Sequence, residues 1–413
     1  MKGREKMALI VQKYGGSSVA NAEKLKIVAK RVIDTVNEGN QVVVVLSAPA
    51  GMTDELTRKA KEISSNPCKR EMDVLLATGE QISISLFSMA LKDMGQDAIS
   101  FTAYQIGIIT DTKHTKAKIQ SINSDKIKEQ LNLGKVVVIA GFQGITENND
   151  ITTLGRGGSD TTGVALGAAL SADEIEICTD VDGIYTADPR IVKNARKIDN
   201  ISYEEMLELA GSGSKVLHLR SIEIAAKYGL KIHLRTTFQK EKGTIVKEED
   251  ETMEKSVVRG IGHSKNEAKI TITGVPDEPG IAAKIFSEIS KENVNVDIII
   301  QNLGEQGKND ISFTVPSSDF DRARKVSLEI KNNLNAKEVI SNESIGKVAI
   351  VGVGMKSNPG VAATMFKTLA DANINILMIS TSEIKVACII NANDVDKAVE
   401  VLHKAFNLGK EIE

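Results

Sequence analysis

Cysteine is scarce in this chain, and the scarcity excludes two architectures. Cys68, Cys178 and Cys388 lie far apart, with neither the paired spacing of a zinc site nor the even number of a secreted disulfide framework. That usage fits a reducing cytoplasm. Excess charge of one sign is also missing. The 52 Lys and Arg against 55 Asp and Glu leave a net charge of −3, which gives no electrostatic reason to expect nucleic acid or a membrane surface as partner. No apolar run approaches the roughly 20 residues of a spanning helix. The start MKGREKMALIV lacks the long apolar core of a signal peptide. The histidines at 114, 218, 233, 263 and 403 are scattered without ligand-like pairing, so no metal site built from protein ligands alone is expected. Small molecules remain as the expected partners.

What is present is regular pattern. At 413 residues the chain is long enough for two or three domains, each burying its own core. Up to about residue 245, short β-branched runs (LIVQKY, QVVVVLSAP, KVVVIAGF) alternate with helical stretches such as NAEKLKIVAKRVIDTVNEG. This alternation predicts a largely parallel sheet covered by helices on both faces. The polar, acidic VKEEDETMEKS at 246–256 reads as a linker.

Beyond the linker the sequence repeats. EPGIAAKIFSEISKENVNVDI and NPGVAATMFKTLADANINILM align at constant offset: Pro279 with Pro359, Gly280 with Gly360, Phe286 with Phe366, Asn293 with Asn373, Asn295 with Asn375. Each unit reads strand, Pro-Gly entry, helix, strand, strand, helix. The first closes with a further strand, KEVISN. The second runs out of residues, so its missing strand is expected from SVVRGIG, near Val257–Ile261.

Five stretches of the first half concentrate residues suited to anions and amino acids. In QKYGGSS, paired glycines at a strand-to-helix turn expose N–H groups, and Lys13 adds charge. GRGGSD runs into a helix rich in small residues, with Ser159 read as cap and donor and Arg156 as a fork for a carboxylate. Asp160 beside phosphate is repulsive unless a cation intervenes, for which Lys13 or Mg²⁺ would serve. TDVDGIYTADPR offers acids and Tyr185 to a nucleoside, GSGSKVLH offers Lys215 to phosphate, and TGEQIS places Glu80 early in a helix. LSAPAGMTDEL ends a strand at Ser47 and opens a helix near Thr53, read as an N-cap. Singly, QKYGGSS, TDVDGIYTADPR and GSGSKVLH read more readily as capped or solvated turns, whereas GRGGSD, with four special residues clustered, does not. Together they lie at strand ends, where open α/β sheets bind ligands.

KYGGSS, TGEQIS, GRGGSD, TDVDGIYTADPR and GSGSKVLH, in this order and followed by a duplicated Pro-Gly unit, resemble the aspartokinases, amino-acid kinases with tandem ACT regulatory domains. The resemblance spans essentially the whole chain. Ser17 stands where a threonine is more usual, and Gln81 where many relatives have arginine. The fold implied is a three-layer α/β/α kinase domain of carbamate-kinase type at 7–245. A linker at 246–256 follows, then ferredoxin-like βαββαβ ACT modules at 257–345, with a leading strand donated onward, and at 346–413.

The resemblance also implies roles. Lys13 would neutralise the transferred phosphoryl group and Asp160 would hold Lys13. Tyr14, Gly15, Gly16, Ser17, Thr179, Asp180, Tyr185, Asp188, Pro189, Arg190 and Lys215 would bind ATP with its Mg²⁺. Aspartate would be held by Arg156 at the α-carboxylate and Glu80 at the ammonium, with Ser47, Thr53, Gly157, Gly158 and Ser159 around it. The implied product is 4-phospho-L-aspartate, the entry to lysine, threonine and methionine synthesis. The ACT modules would pair in a homodimer or larger homo-oligomer and bind lysine, with threonine in some relatives. The nearest matches there are Asp277, Gly280, Ala282, Gln301, Asn358, Pro359, Gly360, Val361 and Ser380. An aspartate side chain, with a reference pKa near 3.9, is already a carboxylate nucleophile at neutral pH, so no general base is required. The alternatives are a kinase for glutamate or N-acetylglutamate, and a non-catalytic nucleotide or amino-acid sensor.

Overall fold

The run QVVVVL folds as strand Gln41–Leu46, and its alternation explains how it is buried on both sides. Val42, Val44 and Leu46 share one apolar core with Val136, Val138 and Ala140 and with residues of helices Ala22–Asn37 and Thr78–Asp93. Val43 and Val45, on the opposite face, are also fully buried. Each such valine contributes about 1.5–3 kcal/mol by leaving water. The first of these helices begins at Asn21, whose side chain accepts from the Lys24 N–H. The computed structural model describes residues 7–214, 216–239, 241–249, 257–304 and 307–410.

Eight strands form the first unit's main sheet in the order Asn200–Ser202, Thr244–Lys247, Ile232–Thr236, Glu174–Thr179, Leu9–Tyr14, Gln41–Leu46, Val136–Ala140, Ala98–Phe101. All neighbours run parallel except Thr244–Lys247 against Ile232–Thr236. The second face is covered by helix Gly158–Leu170, which touches Leu9–Tyr14 and Gln41–Leu46. Its small residues permit that approach: a Cβ added at Gly163 would stand 3.2 Å from the Lys13 Cβ, and one at Gly167 only 2.4 Å from Ile175. Lys69–Asp93 contains no unbroken apolar run of spanning length, yet it is long and apolar enough by length and composition alone to cross a membrane. Ile84, Phe87 and Leu91 of that stretch are nevertheless packed in the core just described.

In the second unit the two repeats share one six-stranded sheet. Its order is Ile299–Leu303, Lys308–Pro316, Gly260–Pro276, Glu338–Val351, Lys385–Asn391, Met378–Thr381. The two central strands are long, and each serves both repeats. Ile270–Thr273 pairs with Glu338–Ser341 inside the first repeat, whereas Gly260–Ser264 pairs with Lys347–Val351 of the second. The strand expected at 257–261 therefore begins three residues later. The boundary expected at 345/346 falls within one continuous strand. The constant offsets between the repeats acquire physical causes. Gly280 and Gly360 precede their helices at φ 93° and 95°. Asn293 and Asn373 follow them at φ 55° and 57°, the left-handed region that asparagine tolerates best after glycine.

The units divide the chain less simply than the motifs suggest. The first comprises Met1–Ile184, Lys197–Ala210 and Lys215–Met253, the second Tyr185–Arg196, Gly211–Ser214 and Glu254–Glu413. Ala187 and Val192 are buried with Val348, Leu369 and Leu402 in the core of the repeats. The Thr186 carbonyl accepts from Ile261 N–H at 2.8 Å, and its hydroxyl meets His403 Nε2 at 3.0 Å. Lys347, itself buried, donates to the Gly211 carbonyl at 2.9 Å and pairs with Asp297 at 2.5 Å. Val246 and Lys247, expected in the linker, lie in a strand of the first sheet. Residues 250–256 of that linker lie outside the described residues.

Candidate active site

Strand Leu9–Tyr14 ends with Lys13 and Tyr14. Lys13 Nζ stands 2.5 Å from Asp160 Oδ1, with only 10% and 14% of the two side chains exposed. Asp160 sits in the first turn of helix Gly158–Leu170, where a carboxylate is favoured by the helix dipole and free N–H groups. The chain then turns sharply. Ser18 N–H donates to Gly15 O, Gly15 N–H to Cys178 O and Ala50 N–H to Gly16 O, which sets a short 3₁₀ turn, Gly16–Val19, at the strand's end. Ser17 is half-buried and its carbonyl accepts from Lys24 Nζ. Tyr14 points the other way, its ring fully buried in the core.

The neighbouring strand ends converge on the same region. Ser47 N–H donates to Tyr14 O, Gly141 N–H to Leu46 O, and Phe142 N–H to the Thr162 hydroxyl of the helix that carries Asp160. Glu80 reaches this edge from helix Thr78–Asp93: its Oε1 accepts from Ala48 N–H at 2.9 Å, one residue beyond Ser47. The side chain is 3% exposed. Oε2 is buried and has no hydrogen-bond partner. Burial pushes the Glu80 carboxyl up from 4.5 to about 7, against the opposing Ala48 bond. A buried carboxylate oxygen left unpaired is costly, and a bound ammonium would remove the cost.

Arg156 is exposed in the loop between strand Ile151–Thr153 and the helix. Gly157, at φ 69°, caps the helix start, and a Cβ there would overlap the His218 ring at 2.2 Å. Ser159, expected as the cap, thus lies inside the first turn, and Gly158 is buried behind it. Thr53 likewise follows the actual cap, Gly51, and is exposed. Both differences have one cause: a left-handed glycine starts the helix where sequence reasoning looked for a side-chain oxygen.

Thr179 closes its strand and donates to Asp180 Oδ1 at 3.0 Å. Tyr185, Asp188, Pro189 and Arg190 belong to the second unit, where Arg190 pairs with Asp188 at 2.6 Å while 88% exposed. Lys215 lies outside the described residues. In the repeats, Asp277 accepts from Asn309 Nδ2 at 2.7 Å, and Asn358 donates to Gly354 O. Gly280 with Ala282, and Pro359 and Gly360 with Val361, flank the two helix starts. Gln301 and Ser380 occupy the two outermost strands of the sheet.

His218 is a residue that sequence reasoning passed over. Burial lowers its imidazole below the usual histidine range, partly offset by Asp160, and its Nδ1 is buried without a partner. The signal was its place in GSGSKVLH. Glu174, Glu176 and His233 lie close enough together to hold a cation. Glu176 is already engaged by Arg235 and Gln12, and Glu174 by His233.

Comparison with known proteins gives the family. The amino acid kinase family matches residues 8–236, and the ACT domain matches 270–327 and 348–406. A chain with an amino-acid kinase fold and a paired ACT sheet is a regulated small-molecule kinase by class. Aspartokinase 2 of Bacillus subtilis (strain 168) is 50% identical over 404 residues, covering 98% of this chain and 99% of the relative. E. coli aspartokinase III in complex with aspartate and ADP (R-state) matches with a TM-score of 0.82 at 25% identity, covering 96% of this chain and 99% of that one. The same enzyme with lysine and aspartate (T-state) matches at 0.76, again at 25% identity and over the same shares. The chain belongs to the aspartokinase family, and its activity is that of an aspartate kinase.

Proposed function

We propose that the first unit transfers the γ-phosphoryl group of Mg²⁺-bound ATP to the side-chain carboxylate of L-aspartate, giving 4-phospho-L-aspartate, and that lysine bound to the repeats inhibits it. The observation that supports a free α-amino acid as substrate is Glu80, a buried carboxylate with one oxygen unpaired, and the likeness to aspartokinases supports aspartate as that amino acid. An α-ammonium both donates to that oxygen and compensates its charge, whereas the N–H of an N-acetyl group donates without compensating the charge. Arg156 takes the α-carboxylate in its planar fork. Held at both ends, aspartate presents its second carboxylate to the γ-phosphorus as the nucleophile. Transfer then depends on alignment and charge neutralisation. Lys13 supplies the positive charge, kept in place by Asp160. With Asp160 so engaged, the pair offers phosphate an ammonium and no free carboxylate. Mg²⁺ brought in with ATP would add positive charge at the phosphates. ADP release, measured by a coupled assay with L-aspartate, L-glutamate and N-acetylglutamate, should be fast for the first alone. Equal rates with N-acetylglutamate would remove Glu80 from its role.

Arg156→Lys keeps the charge and loses the fork. It should lower kcat/KM for aspartate by about 10²-fold and leave the KM for ATP nearly unchanged. Equal loss for both substrates would make the residue structural.

Support for lysine comes from the E. coli enzyme crystallised with it and from the two Pro-Gly corners. Each begins a helix whose first N–H groups suit a carboxylate, and Asp277 beside the first suits an ammonium. We assign the modules to pairing in a homodimer or larger assembly. Lysine at millimolar concentration should inhibit cooperatively, and Asp277→Ala should relieve inhibition without lowering the uninhibited kcat. An inhibitor acts only through its differential affinity for the less active state. A wild-type enzyme indifferent to lysine would refute this assignment and leave the kinase reaction untouched.

A further inference from the structure

Asp73 is a fully buried carboxylate that the reaction does not use. It projects from the short helix Lys69–Leu76, whose sequence KREMDVLL looks like an ordinary half-exposed helix. Yet it accepts from three partners on two other segments. His114 Nδ1 lies 2.7 Å from Oδ2, Thr115 N–H lies 3.1 and 3.0 Å from the two oxygens, and the Thr153 hydroxyl lies 2.5 Å from Oδ1. Thr115 is held at φ 68°, a conformation that costs a β-branched residue energy and persists only where its surroundings impose it.

What the carboxylate joins is the aspartate-reading loop. Thr153 ends strand Ile151–Thr153, and Leu154, Gly155 and Arg156 follow directly. Ala117 N–H donates to Thr153 O at 2.9 Å, so the segment 114–117 is zipped to the loop's base. A Cβ at Gly155, itself at φ 76°, would stand 2.9 Å from Thr115 O. Arg220 closes the same junction, donating to Leu154 O at 2.7 Å and Ala117 O at 3.0 Å. Arg156 itself is exposed, so the backbone beneath it sets where its side chain starts from, and with that the region the guanidinium can reach.

We propose that Asp73 is a positioning residue for aspartate recognition: it fixes Thr153 and Thr115, and through them the path of Leu154–Gly157 that aims Arg156 at the α-carboxylate. Asp73 acts through the loop and touches no substrate. It is assigned this role on the reading of Arg156 given above. Charge and acceptor number are both needed, because a neutral amide presents a donor to at least one N–H or O–H already pointing at it.

Asp73→Asn and the milder Thr153→Val test the assignment, with steady-state KM measured separately for aspartate and ATP. Each should raise the aspartate KM about 10-fold and leave the ATP KM within about twofold, since a small misplacement of a clamp acts only on the group it clamps. Thr153→Ser, which keeps the hydroxyl, should restore the native value. Combined with Arg156→Lys, each should add less than about twofold, because a fork already lost cannot be misplaced again. Should Asp73→Asn fail to fold, Thr153→Val alone decides. Equal rises for both substrates, full additivity with Arg156→Lys, or native KM values in a folded variant would overturn the assignment alone. An Arg156→Lys enzyme with native aspartate KM would overturn the reading of Arg156 and this role together.

Discussion

Lys13→Ala and Asp160→Ala should each lower kcat by about 10³-fold or more, and the double variant should fall little below the worse single one. The two side chains are an ion pair at 2.5 Å, both largely withdrawn from water. Removing one member of such a pair costs more than the pair contributes, because the survivor is left buried and uncompensated. In Asp160→Ala the lysine ammonium loses the partner that holds it in line. In Lys13→Ala a bare carboxylate faces the incoming phosphates. Either way, the lysine's share of charge neutralisation at the γ-phosphoryl group is lost, and phosphoryl transfer depends on that neutralisation together with alignment. Gly163, one turn further along the helix, lets its backbone lie against Lys13, so the lysine stem is packed independently of Asp160. The measurement is single-turnover phosphoryl transfer for the four enzymes, with circular dichroism to establish that each is folded. Additive losses would mean that the residues act separately.

How much of this was legible beforehand depended on whether a residue's neighbours lie near it in sequence. The parallel sheet was legible because strands buried on both faces are written as unbroken β-branched runs, and QVVVVL has no other stable use. The duplicated half was legible because both copies solve the same turn twice, with glycine at φ 93° and 95° and asparagine at φ 55° and 57°. Lys13, Glu80 and Asp160 were marked by local context, each at a strand or helix end. Long-range partnership was not written locally. Nothing in TDVDGIYTADPR says that Ala187 and Val192 complete the core of the repeats, since any apolar surface would bury them equally well. The caps Gly51 and Gly157 were missed because serine and threonine nearby are the commoner choice. Asp73 was invisible for the same reason as the shared strands: its four hydrogen bonds come from positions 41, 42 and 80 residues away.

Glu80→Gln should yield an enzyme that is less active and, above neutral pH, more stable. Folding moves the Glu80 carboxyl from 4.5 to about 7, chiefly by desolvation. The folded state therefore holds this proton more tightly than the unfolded chain. The contribution to stability falls as pH rises from about 4.5 to about 7 and is constant beyond, a loss of about 3 kcal/mol by linkage. Glutamine keeps the acceptor for Ala48 N–H and cannot ionise. The stability of the variant relative to the native enzyme should thus grow between pH 5 and pH 8 in the absence of substrate. Aspartate reverses the balance in the native enzyme, because its ammonium compensates the carboxylate, so aspartate should raise the melting temperature of the native protein at pH 8 far more than that of the variant. The kinetic counterpart is a fall of about 10²- to 10³-fold in kcat/KM for aspartate, the cost of leaving a buried ammonium unpaired. In the native enzyme, kcat/KM should also decline below about pH 7 as free Glu80 takes up its proton, and the variant should lack that limb. A pH-independent stability difference, or equal protection of both proteins by aspartate, would show that Glu80 is a buried structural carboxylate and that the substrate's ammonium is held elsewhere.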